Sequence, residues 1–153
     1  MMAAVAQEVH YAPEEDLARI DANLICDAKT SIDFASYALT DRVIIQALTE
    51  ADHHGVAIRI VLDPRERHDF VALGDLADDV RIKRGGAYMH LKAYSIDGEE
   101  LRTGSANFST SGENAQDNDL IVLRDPGTAA KFDAHVERMG DAAQPIDEFE
   151  PAI

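Results

Sequence analysis

The chain has 153 residues, 46% apolar and 28% charged, with 6% aromatic residues and no tryptophan, a profile of one soluble globular domain that excludes a large multidomain enzyme. Its 14 Lys and Arg stand against 29 Asp and Glu, and the formal charge of −15 repels nucleic acid and anionic membranes at long range, which taken alone argues against a polyanion as substrate. No apolar run approaches the roughly 18 residues of a membrane span, and Met1 to Gln7 lacks the basic flank of a secretory leader. Pro13-Glu14-Glu15-Asp16 then reads as a helix opening, with Leu17, Ile20, Leu24 and Ala28 following at helical spacing. Cys26 lies in this stretch as a small, buried apolar residue; a lone cysteine forms no internal disulfide. Thr30 to Tyr37 has strand composition, Thr40 is the expected cap of a helix through Val43, Ile44, Ala47, Leu48 and Ala51, and His53-His54 before Gly55 suits the helix's negative end better than a metal. Ala57 to Asp63 is a second strand, so the segment reads strand, helix, strand, the pattern of a parallel sheet in an α/β fold.

A short helix around Phe70 to Leu76 leads to a strand over Val80 to Arg84, and Gly85-Gly86 breaks the chain. Tyr88 to Ile96 is the next strand, and Asp97-Gly98 turns it back through Leu101 to Gly104 as a hairpin. Residues 105–118 are polar and read as a loop, Asp119 to Arg124 as a strand, and Thr128 to Met139 as a final helix with Phe132, Val136 and Met139 on one face. The acidic tail 141–153 has no period and is either docked or loose. The expectation is a single domain over 1–153 with its core at about 13–139, a mixed β-sheet between α-helices.

The chemistry concentrates beside the hairpin. His90 and Lys92 are two apart on the expected strand, so they leave the same face and set an imidazole beside an ammonium. Asp97 sits in the turn, where its carboxylate is expected to bond the hairpin backbone. Gly104 with Ser105 permits a close backbone approach, bringing Asn107 near His90. His10, His68 and His135 stand alone without ligand-like spacing, so no metal and no cofactor are expected.

His90-Leu91-Lys92 followed after four residues by Asp97, with Gly104-Ser105-Ala106-Asn107-Phe108-Ser109 behind it, resembles the paired motifs of the phospholipase D superfamily. The resemblance runs from about Asp21 to Met139 and is greatest to small bacterial endonucleases of that superfamily, which carry one such motif and complete the site by homodimerising. It implies a phospholipase D-like fold and a metal-independent phosphodiesterase. One His90 would attack phosphorus to give a phosphohistidine and a second copy's His90 would protonate the leaving oxygen. Lys92 and Asn107 would neutralise the phosphate, Asp117 would hold the Nδ1 proton of His90, and Ser105 or Ser109 would add a hydroxyl bond. Asp97 and Gly104 are the structural members of the motifs.

The charge objection weakens once it is localised. Residues 59–102 are nearly balanced, at −1, and the remainder carries −14. Arg81, Lys83 and Arg84 run toward the His90 strand and are the candidate groove for a phosphate chain, with weak, strongly salt-sensitive binding expected. Because the chain is about the size of the small endonucleases it resembles and leaves little room for an acyl-chain pocket, the preferred substrate is nucleic acid, cut by a homodimer without stable membrane insertion. A phospholipase or phosphatidyl transferase acting on phospholipid head groups is the first rival and a non-catalytic nucleic-acid-binding or scaffold dimer the second. The compartment stays open: cytoplasmic, or periplasmic or secreted if a leader has been removed.

Overall fold

The computed structural model describes residues 5–151. In chain order it contains β1 (Ala6–Ala12), α1 (Leu17–Cys26), β2 (Ser31–Ser36), α2 (Arg42–His53), β3 (Ala57–Leu62), α3 (Phe70–Leu73), a 3₁₀ stretch over Gly74–Asp79, and β4 (Val80–Ile82). It continues with β5 (Lys92–Ile96), β6 (Glu100–Thr103), α4 (Thr110–Asn114), β7 (Asn118–Arg124), α5 (Pro126–Asp141) and β8 (Gln144–Pro145). The strands form one sheet in the order β1-β7-β6-β5-β2-β3-β4-β8. β2, β3 and β4 are parallel, joined through helices, and the other pairings are antiparallel.

Strand alternation sends side chains to two cores. On one face Ile32, Phe34, Ile60, Leu62 and Tyr94 pack against Ile25 of α1 and Ile44 and Leu48 of α2. On the other, Ala35, Val61 and Ala93 pack against Phe132 and Val136 of α5. Each fully buried Phe, Leu or Ile contributes roughly 1.5–3 kcal/mol. The mixed sheet between helices is the architecture expected from the sequence.

Several local expectations are corrected. α1 starts at Leu17, not Pro13: Asp16 is its cap, accepting the Arg19 N–H at 3.2 Å, while Glu15 takes the Tyr11 N–H and holds a turn. Asp41, not Thr40, caps α2 by accepting the Val43 N–H at 2.9 Å, its longer-reaching carboxylate winning over the hydroxyl. Cys26 is exposed at the end of α1. β1, unanticipated, is an edge strand whose side chains are mostly exposed on both faces, so it lacks the alternation that betrays a strand. Residues 105–118 contain α4, a single capped turn too short and polar to show a helical period. The tail is docked: β8 pairs with β4, and Ile146 and Phe149 pack on the first core, the latter edge-on to Phe70 at 6.0 Å. The expected capping by His54 is present, its Nδ1 lying 2.6 Å from the Glu50 carbonyl.

Candidate active site

The carboxyl ends of β2, β3 and β4 define one edge of the sheet, and β2 is where the order turns, toward β3 on one side and β5 on the other. In open α/β sheets that edge is where ligands bind. The start of β5 and the end of β6 lie on it as well, because both strands run antiparallel to their neighbours.

β5 begins at Lys92, so His90 stands in the irregular segment just ahead of the strand rather than on it. The pairing survives because Lys92 reaches back: its Nζ donates to the His90 carbonyl at 2.9 Å and lies 3.1 Å from His90 Nδ1. His90 is exposed, Lys92 only 8% exposed. Burial holds the Lys92 ammonium below the usual lysine pKa. The Tyr37 ring packs 4.9 Å from the imidazole, and its backbone N–H is bonded to the Leu91 carbonyl at 2.9 Å. Desolvation, then the charges of Glu66 and Asp63, raise the Tyr37 phenol above its ordinary pKa.

Asp63, fully buried at the end of β3, anchors the segment before His90. It accepts the Met89 N–H at 2.7 Å and the Arg65 N–H at 2.8 Å. Nothing in its sequence context marks it, since an acid ending a strand is ordinary.

On the companion side, Asn107 lies between the buried Ala106 and Phe108, and its Oδ1 is buried without a partner. The Phe108 carbonyl accepts from Thr40 and Asp41, tying this turn to α2. Gly104 is required as expected: at φ +136° any Cβ would lie 2.5 Å from the Asp119 carbonyl. Ser105 and Asp119 bond reciprocally, at 2.7 and 2.9 Å, and Ser109 caps α4 by accepting the Gly112 N–H at 3.1 Å. Both serine oxygens thus serve the backbone, with their O–H hydrogens left to donate.

Asp97 does not bond its own hairpin. At φ +56° it reaches across to the loop before β2, accepting the N–H groups of Lys29, Thr30 and Ser31 at 2.7–3.1 Å. Asp117 is exposed on a shallow cleft with Tyr11, Glu14, Ser105, Asn118 and Asp119, and no hydrogen bond joins it to His90; Lys92 takes the place beside Nδ1. The expected basic groove is largely spent within the fold. Arg81 donates to the Asp78 and Val80 carbonyls, Lys83 Nζ closes the turn ahead of His90 through the Gly85 and Ala87 carbonyls, and Arg84 lies 3.6 Å from Glu148.

Beneath the two motifs runs a buried ionic network that sequence reading missed. Arg102 makes a bidentate pair with Asp21, at 2.8 and 2.7 Å, and Tyr94 donates to the same carboxylate at 2.6 Å. The guanidinium also donates to the Lys92 carbonyl at 2.8 Å and the Ala106 carbonyl at 3.4 Å, clamping the backbone of both motifs. Glu113 of α4 completes it, 3.3 Å from Arg102; burial, then the Asp21 charge, push its pKa up to about 10. A protonated Glu113 leaves one cation facing one anion, so the cluster is neutral.

The family model for the phospholipase D-like domain of cardiolipin synthase matches residues 22–140. A phospholipase D of Rickettsia conorii is 29% identical over 126 residues, covering 80% of this chain and 63% of its own length. The 5'-3' exonuclease PLD3 of Xenopus laevis is 32% identical over 108 residues, 56% of this chain and 22% of that protein. Among solved structures, the phospholipase D family member Nuc of Salmonella typhimurium superposes with a TM-score of 0.84 at 27% identity, over 92% of this chain and 97% of that one. Running from within α1 to the end of α5, the family match makes this chain a member of the phospholipase D-like family.

Proposed function

We propose that the protein is a phosphodiesterase that cuts nucleic acid through a phosphohistidine at a homodimer interface. The observation that carries this reading is the exposed His90 imidazole set 3.1 Å from a desolvated ammonium at the sheet's carboxyl edge. An ammonium with little water around it stabilises the extra charge of a five-coordinate phosphorus more than a hydrated one does.

In the first step a neutral His90 nitrogen forms a bond to phosphorus as the ester P–O bond breaks, and the protonated His90 of the second copy gives its proton to the leaving oxygen and becomes neutral. In the second, water attacks phosphorus, the P–N bond breaks, and the second copy's His90 takes the water's proton. The attacking ring is neutral, with its proton on one nitrogen and the lone pair of the other aimed at phosphorus, while the second copy's ring is the imidazolium, which becomes neutral as it gives its proton to the leaving oxygen. With one such motif in these 153 residues, an isologous pair supplies the second histidine, since the same patch then faces itself.

Nucleic acid is favoured over lipid by the rim. The exposed large side chain two residues from His90, Tyr88, is aromatic rather than aliphatic, a surface suited to a base more than to an acyl chain. The name of the Rickettsia relative keeps phosphatidyl substrates as the alternative. The test is hydrolysis by the purified protein, in EDTA, of single-stranded DNA, duplex DNA, RNA and phosphatidylcholine vesicles. Nucleic-acid cleavage that survives EDTA and falls about 10³-fold or more in His90→Ala is expected. Turnover of phosphatidylcholine alone would overturn the substrate, and an active His90→Ala would overturn the mechanism.

A further inference from the structure

The rim of the site holds an aromatic feature that the phosphoryl chemistry leaves unused. Tyr88, two residues before His90, is 65% exposed, and the Arg65 guanidinium lies over its ring, 4.1 Å from the centroid. Arg65 is itself fixed from two sides, donating to buried Asp63 at 3.1 Å and to the Gly86 carbonyl at 2.6 Å. The turn carrying Tyr88 is closed by Lys83 Nζ on the Gly85 and Ala87 carbonyls. The ring is thereby backed on one face and open to solvent on the other. Tyr37 supplies a second ring, packed on His90 itself.

A cleft of about 860 Å³ continues from Arg65, walled by Arg67, His68, Phe70 and Phe149, with Glu66 and Glu150 also on its lining. Its cations and carboxylates offset one another, and the whole chain carries −15. Affinity for a polyanion here therefore cannot come from net charge. Flat aromatic surface is the other way a protein holds a single strand, because every base has a π-face.

We propose that Tyr88, backed by Arg65, is a stacking platform for one base of a single-stranded nucleic acid whose phosphodiester lies at His90. This rests on the nuclease reading above and names its substrate class. A duplex keeps its bases stacked on each other and offers none to Tyr88. A choline head group also seeks aromatic faces, but the guanidinium already on this ring repels a second cation.

The test measures binding by fluorescence anisotropy in a His90→Ala background, so that strands stay intact, using a labelled thymidine oligonucleotide and an abasic strand of the same length. Tyr88→Ala is expected to weaken the thymidine strand roughly 5- to 100-fold, the range for losing one base–aromatic stack, with the abasic strand shifted less than about twofold. Tyr88→Phe keeps the ring and restores the thymidine affinity. Equal effects on both strands, or none on either, would overturn the platform; continued nucleic-acid cleavage by the parent protein would then leave the nuclease reading standing. A parent protein that binds neither strand but hydrolyses phosphatidylcholine vesicles overturns both.

Discussion

Lys92 gives up hydration to stand where it does, and the penalty falls on its charged form. Because burial lowers its folded pKa below the ordinary 10.5, the folded state binds fewer protons than the unfolded one between those two values, and stability from this residue rises with pH across that window. At neutral pH the cost is present in full. Lys92→Met is therefore expected to lose activity by about 100-fold or more while its thermal midpoint rises, a trade of stability for function; a lower midpoint in a melting experiment would contradict it. Glu113 follows the opposite curve. Its pKa is raised from 4.5 to about 10, so the folded state holds the extra proton and stability declines as pH rises between those values. Glu113→Gln, neutral at every pH, is expected to melt higher than the parent at pH 8, with the gain vanishing toward pH 4.5. His90, Lys92 and Asn107 are legible because they are fixed in a short spacing. Arg102, Asp21 and Glu113 are not: Asp21 and Arg102 are 81 residues apart, and the burial that gives such a cluster its meaning exists only in three dimensions.

Among elements, the β5–β6 hairpin shows how a motif residue can be structural and yet act at a distance from its turn. Asp97-Gly98 takes positive φ at both positions, +56° and +65°, as a two-residue hairpin demands, and that much was readable. Where the carboxylate goes was not, because the loop it captures, Lys29 to Ser31, lies 66 to 68 residues upstream. Burial opposes its ionisation, but the N–H groups of Thr30, Ser31 and Lys29 prevail and hold its pKa below 3.8. Asp97→Ala should cost about 1–3 kcal/mol, measured by denaturant unfolding at neutral pH. The gap to the parent should narrow as pH falls below 3.8 and through the folded pKa, since protonation removes the charge on which those folded-state bonds depend. β1 and α4 escaped detection for complementary reasons. The first is exposed on both sides and the second is one turn long, so neither presents the apolar period by which β2, α2, β3 and α5 declare themselves. Arg102→Met removes the clamp between β5 and the Asn107 turn and strands the Asp21 carboxylate; a loss of about 3–5 kcal/mol is expected.

For the whole molecule, the charge of −15 acquires a sharper meaning from where the cations are committed. With Arg81, Lys83 and Arg84 engaged by their own chain, few are left to displace counterions from a strand. At roughly 0.7 logarithmic units per phosphate contact, a plot of binding constant against salt should have a slope of about −2 or shallower, less steep than a basic groove would give. A titration of single-stranded DNA from low to moderate salt checks it. If two copies share one site, mixing His90→Ala with Lys92→Ala chains cannot restore full activity, because every mixed site still lacks one of each; full rescue would show separate sites. The sheet itself sets a last consequence. β1 and β8 are its opposite edges, seven strand spacings apart, or roughly 34 Å at about 4.8 Å each. Dyes on Val9 and Gln144 would therefore sit within the working range of resonance energy transfer, turning the sheet into a ruler that registers fraying of either border.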